Sequence, residues 1–183
     1  VLHLATKTSN FPGKAELSED KTYVRLYGPG DAASEAFFQA YSNSDISPTG
    51  QYLAVKYRLP KENAEAVQFE FFISTEHHSA HAGDSFQVNE LIADGNWHVL
   101  LVDVADQHLP TFEADSSGSY TALHVRFDVF NVTTSPETYV DIAYLGLADS
   151  LEDICRLNTK GVGEIYKGGV IAGTIDFSTG ESP

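Results

Sequence analysis

The sequence predicts an all-β protein, an antiparallel β-sandwich. Three observations lead there: hydrophobicity alternating with period two, turn residues between the alternating runs, and almost no helical spacing. In QYLAVKYRL (51–59), Leu53, Val55, Tyr57 and Leu59 fall on one face and Tyr52, Lys56 and Arg58 on the other, because successive side chains of an extended chain point to opposite sides. AVQFEFFIS (66–74) sets Val67, Phe69, Phe71 and Ile73 against Gln68, Glu70 and Phe72. TALHVRFDVF (121–130) sets Leu123, Val125, Phe127 and Val129 against His124, Arg126 and Asp128. Further runs are TYVRLYG (22–28), EAFFQAY (35–41), NWHVLLVDV (96–104) and TYVDIAYLGL (138–147), so at least seven strands are expected.

Between the runs lie PGD, SPTG, PKEN, ADGN, DSSGS and TSPE, which supply positive φ or a proline-fixed φ. Strands at this density with short turns favour stacked antiparallel sheets over βαβ units. One short helix is expected over 149–157, DSLEDICRL, where Ser150 and Asp153 resemble a capping box and Leu151, Ile154 and Leu157 form an apolar stripe. The Gly-rich segment 158–183 is expected to be a terminal hairpin turning at Gly168 and Gly169, or a connection to a further module. The expectation is a single module over 1–183 with its core at about 20–157.

The 183 residues, 42% of them hydrophobic, suffice for one core. A formal charge of −15 opposes phosphate backbones and anionic headgroups, since binding either depends on clustered Lys and Arg. Nucleic acid and membrane surfaces are therefore not expected partners. Cys155 is the single cysteine, which excludes an internal disulfide and a multi-thiolate zinc site. No apolar run approaches the length of a membrane span and no cleavable leader is recognisable, so the chain reads as a soluble piece of a longer polypeptide. NVT at Asn131 is a glycosylation acceptor only in a eukaryotic secretory setting.

Four pieces in succession, YLAVKYRLP from Tyr52, DGNWHVLLVDVAD from Asp94, LHVRFDVFN from Leu123 and YVDIAYLGLADSLEDI from Tyr139, carry a resemblance. Together, over roughly residues 20–155, they resemble the galactose-binding-like jelly-roll modules of bacterial multimodular glycoside hydrolases and surface proteins. The resemblance implies a sandwich of jelly-roll type that binds carbohydrate without catalysis. It also implies an extracellular location, secreted or attached to the cell surface, neighbouring modules on the same polypeptide, and often a structural Ca²⁺. In such modules the ion commonly sits near the first and last core strands, which points to Asp20, Asp31 and Asp141 among an acidic surplus that also includes Glu16, Glu19 and Asp45.

Two candidate glycan sites follow. The first is an outward face carrying Arg58, Glu70, Phe72, His124, Arg126 and Asp128, provided the strands that hold them share one sheet. Sugars need that mixture of bidentate donors, acceptors and a ring face for the C–H side; a lattice of solvated cross-strand ion pairs would use the same residues. The second is the loop ISTEHHSAHAGD (73–84), where His77, His78 and His81 stand near Glu76 and Asp84. That loop reads as a solvated polar connection, a sugar contact or a transition-metal site, although it lacks HExxH spacing. Trp97, the only tryptophan, is expected to pack, with Tyr41, Tyr52, Phe72 and Phe112 the better stacking platforms.

No carboxylate pair, nucleophile elbow or phosphate loop singles itself out. The expected function is attachment to a neutral or near-neutral glycan. Two other classes remain: a spacer or protein-interaction domain without a sugar site, and a metal-dependent hydrolytic domain using the His-rich loop.

Overall fold

The computed structural model describes residues 14–28, 30, 37–42, 52–65, 67–75, 85–88, 90–107, 123–130, 134–148, 162–167 and 170–176. The described strands are β1 (Ala15–Leu17), β2 (Val24–Tyr27), β3 (Phe37–Ser42), β4 (Tyr52–Arg58), β5 (Val67–Thr75), β6 (Ser85–Val88), β7 (Trp97–Asp103), β8 (Leu123–Phe130), β9 (Tyr139–Ala148), β10 (Val162–Lys167) and β11 (Val170–Asp176). Short 3₁₀ turns follow β4 and β7, at Lys61–Asn63 and Ala105–Gln107. The helix expected over 149–157 lies outside the described residues.

Two sheets form, in the orders β1-β2-β9-β4-β7-β10-β11 and β3-β8-β5-β6. The pairs β2 with β9, β3 with β8, β4 with β7 and β5 with β6 nest inside one another, all antiparallel. A chain that runs out through four strands and returns through four, folded over into two sheets, is a jelly roll. The additional pairs β4 with β9 and β5 with β8 close each sheet. Beyond this eight-strand frame, β1 extends one edge of the larger sheet and the β10–β11 hairpin extends the other. The β7–β10 pair is parallel, a departure from the antiparallel pattern that alternation led us to expect. The long connection between these two strands makes it possible, because a tight hairpin cannot join parallel neighbours.

The core is the inward set of both sheets. Leu26, Leu53, Val55, Tyr57, Leu100, Val102 and Val140 from the larger sheet meet Val67, Phe69, Phe71, Phe86 and Val88 from the smaller. Tyr57 and Phe69 pack edge to face with centroids 5.3 Å apart, and Phe71 stacks on Phe86 at 5.2 Å. The buried Tyr57 hydroxyl is satisfied because the Ile92 N–H donates to it at 2.9 Å. β7 lacks clean alternation in sequence for a physical reason. Val99 and Leu101 alternate with the core residues Leu100 and Val102, yet both are fully buried, as is Ala54, which pairs with Leu101. A central strand buried on both sides reads as a continuous apolar run.

The TSPE turn locks β2 to the start of β9. The Gly28 N–H donates to the Thr138 carbonyl, the Gly30 N–H to the Thr134 carbonyl, and Thr138 N–H closes the turn on Ser135. Asn63 Nδ2 adds a bond of 2.8 Å to the Tyr139 carbonyl from the turn after β4. A Cβ on Gly28 would lie 2.2 Å from the Ser135 carbonyl oxygen, a backbone atom held by the turn, whereas one on Gly173 meets nothing within 4 Å. Gly28→Ala is therefore expected to cost about 1–3 kcal/mol by overpacking. Urea denaturation checks this, with Gly173→Ala as the control; equal midpoints for the two variants would contradict the close approach.

Candidate carbohydrate-recognition faces

The residues expected to share one face divide between the two sheets. Arg58 stands on β4, in the larger sheet, while Glu70 and Phe72 lie on β5 and His124, Arg126 and Asp128 on β8, in the smaller. Period-two alternation states which residues of one strand share a side, but carries no label for the sheet the strand joins. Arg58 is thus separated from its expected companions by the whole core.

On the smaller sheet the remaining five are register neighbours. One row runs Phe37, Asp128, Glu70, Gln87; the next runs Gln39, Arg126, Phe72, Ser85; a third runs Tyr41, His124, Ser74. Aromatic and hydrogen-bonding positions interleave across these rows. Glu70 and Phe72 are half-buried and Gln87 is exposed. The Ser85 hydroxyl donates to Glu70 Oε1 at 2.8 Å, a diagonal bond from β6 to β5.

The larger sheet presents a second face that the sequence reading missed. Register aligns Arg25, Asp141, Arg58 and Trp97 in one row across β2, β9, β4 and β7. Asp141 has 1% of its side chain exposed, and the two arginines 30% and 29%. Arg25 Nε donates to Asp141 Oδ1 at 2.7 Å and its Nη2 to Oδ2 at 3.0 Å; Arg58 donates to Oδ2 through Nε at 2.9 Å and Nη2 at 2.7 Å. The hydrogen bond to Asp141 raises the Arg25 pKa above its ordinary value. Burial pulls Arg58 down, but its bonds to Asp141 more than offset that, so it too is raised. Both guanidiniums stay charged at any working pH.

Aromatic rings bracket this row. The Arg25 guanidinium lies 4.0 Å from the Tyr139 ring centre, and Tyr27 packs beside Tyr139 at 6.1 Å. Arg58 lies 4.6 Å from the Trp97 ring and 5.0 Å from Tyr23, and those two rings meet edge to face at 5.5 Å. Lys56 Nζ is 5.9 Å from the same indole. Lys14 pairs with Glu16, which accepts from the Tyr27 hydroxyl at 3.0 Å. Trp97 therefore sits on the outer face, half-buried, and packs there against Tyr23 and Arg58 rather than in the core. Its place follows from alternation with His98, which is buried and bonds Asp94 Oδ1 through Nε2 at 2.8 Å.

Of the proposed calcium ligands, Asp141 directs both oxygens at arginines. Asp20 lies in the β1–β2 turn, where its Oδ1 accepts from the Ser18 and Thr22 hydroxyls at 2.7 Å each and from the Thr22 N–H at 3.1 Å. Asp31 lies outside the described residues, as do His77, His78, His81 and Phe112. Among the described residues no group of three or more His, Cys, Asp or Glu is placed to hold a metal ion. Arg25, Tyr23 and Tyr139 went unread as site residues because an outward Arg or Tyr on a strand looks like ordinary surface. The available signal was Asp141 itself, an acid set between Val140 and Ile142 in the middle of a strand.

No protein-family description matches the chain, and no curated protein matches it by sequence. Solved structures do match. An agarase structure aligns at 10% identity over 84% of this chain and 27% of its own, with a TM-score of 0.50. A glycoside hydrolase domain, Endo-D from Streptococcus pneumoniae R6, aligns at 12% identity over 80% of this chain and 22% of its own, with a TM-score of 0.45. The xylan-binding module CBM15 aligns at 15% identity over 82% of this chain and 98% of its own, with a TM-score of 0.43. The chain thus spans about a quarter of the two enzyme structures. The likeness to the agarase structure is one of fold, the jelly-roll sandwich described above.

Two stability predictions follow from these contacts. Asp141→Ala leaves two half-covered guanidiniums facing each other and is expected to cost about 3 kcal/mol, the lower end for a broken buried pair because both arginines still reach water. A urea midpoint unchanged from wild type would contradict the arrangement. The hydrogen bond from His98 holds the Asp94 carboxyl below its usual range. A depressed folded-state pKa contributes stability above the unfolded value, and that contribution is lost as pH falls through the folded value. Asp94→Asn should therefore lower the melting temperature modestly at pH 6, with the difference from wild type shrinking as pH falls below the ordinary aspartate range. A constant offset across that range would contradict the assignment.

Proposed function

We propose that this chain is a non-catalytic carbohydrate-binding module that attaches a larger extracellular protein to a neutral glycan through the outer face of its smaller sheet. The observation that carries the reading is the register of that sheet. It sets Phe72 beside Arg126 and Glu70 beside Asp128, with Gln39, Ser85 and Gln87 in the same rows. Two acids against one arginine disfavour an anionic ligand, whereas neutral sugar hydroxyls accept from arginine and donate to carboxylates. The half-exposed Phe72 ring offers a surface for the C–H side of a pyranose. The open rows suit a polymer lying across strands about 4.8 Å apart better than a small enclosed ligand.

Affinity electrophoresis against xylan, β-glucan and agarose tests this. Retardation by at least one of them is expected, with a tenfold or greater loss of affinity in Phe72→Ala and none in His77→Ala. No retardation by any neutral polysaccharide would move the chain to the spacer class. Retardation lost in His77→Ala and kept in Phe72→Ala would move the site to the 73–84 loop.

A further inference from the structure

The larger sheet's outer face gathers cations in a protein whose net charge is −15. Arg25, Lys56 and Arg58 surround the buried carboxylate of Asp141, while Glu16, paired with Lys14, stands beside Arg25 at one edge and Asp103 lies at the far end of β7. A purely structural triad accounts for the inner edges of both guanidiniums, which point at Asp141. It does not account for Lys56, which flanks the Trp97 ring with Arg58 and which, among the described residues, pairs with no carboxylate. Nor does it account for the 29–30% of each arginine side chain left open to water.

We propose that this face is a second glycan site, selective for a sugar carrying an anionic substituent, a sulfate ester or a carboxylate, held between Arg58 and Lys56 with its ring against Trp97 and Tyr23. Asp141 makes the site rigid: four N–H bonds fix both guanidinium planes before ligand arrives, so little side-chain entropy is lost on binding. The row from Arg25 to Trp97 crosses three strand spacings, about 14 Å, long enough for a short stretch of polymer. The surrounding negative charge limits the ligand class. At physiological salt the Debye length is about 8 Å, so a substituent in contact with Arg58 and Lys56 feels the patch, while a densely charged polyanion also meets the acidic surroundings. Sparsely substituted glycans fit; nucleic acid does not.

The site is independent of the neutral-glycan face, and one experiment separates the two. Binding of the purified chain is measured on κ-carrageenan for sulfate, polygalacturonate for carboxylate, agarose as the neutral polymer and double-stranded DNA as a dense polyanion. At least one of the first two is expected to bind, with affinity falling as salt rises from 50 to 500 mM. Lys56→Glu and Trp97→Ala, each checked by thermal melt, should weaken that binding at least fivefold, while Phe72→Ala leaves it unchanged. Which polymer binds identifies the substituent. Failure of both to bind, an unchanged affinity in Lys56→Glu, or DNA binding as tight as the glycan would each overturn the proposal. Loss of neutral-glycan retardation alone would leave it standing.

Discussion

A carboxylate with 1% of its side chain exposed is costly to bury unless its oxygens are bonded, and at Asp141 four N–H donors from two arginines supply those bonds. Because Arg25, Asp141 and Arg58 come from β2, β9 and β4, this one anion joins three neighbouring strands on the side the core does not touch. The same bonds orient the guanidinium planes against Tyr139 at one end and Tyr23 and Trp97 at the other. An isolated surface arginine would sample many rotamers, and the cation–π contacts alone would not hold it. Geometry on this face is inherited from a buried acid.

The jelly-roll pairing makes such an acid possible. β9 and β4 lie in the middle of the seven-stranded sheet, flanked on both sides, so an outward residue on either is shielded by neighbours even though nothing of the smaller sheet covers it. Val99, Leu101 and Ala54 are fully buried on that same side. The smaller sheet has four strands, so only β8 and β5 are flanked, and Glu70 and Phe72 on β5 are half-buried.

Strand existence was legible because alternation is a local property. QYLAVKYRL and AVQFEFFIS needed no partner to show which side of each strand is apolar, and Tyr57, Phe69 and Phe71 are in the core as that pattern requires. Partner choice is not local. Arg58 and Arg126 follow the same alternation, yet one joins β9 and β7 and the other joins β3 and β5, so a face assembled from several strands could not be read before the sheet order was known. The parallel β7–β10 contact was hidden for the same reason. Trp97 was expected to pack, in the core or at its rim, because large area favours burial on average; its position, one residue before the inward His98, decides for the outer face. Asp141 was noticed as an oxygen donor; only the register of Arg25 and Arg58 on either side reveals that its lone pairs serve cations within the chain.

The flatness of both faces bears on what either can do. Acid–base or nucleophilic chemistry needs groups converging on one reacting atom in a site that excludes water. Sheet faces instead array side chains at about 4.8 Å between strands and about 7 Å along them, a lattice that diverges from any single point. The cluster at Asp141 is saturated by four N–H bonds from two arginines. A cavity of about 470 Å³ lined by Ala64, Glu65, Val67, Gln68, Val88, Glu90 and Leu91 lies beside the β5–β6 end of the smaller sheet. A lattice of separated aromatic and polar positions can gather affinity from many weak contacts along an extended ligand, which is the arrangement the proposed glycan-binding role requires.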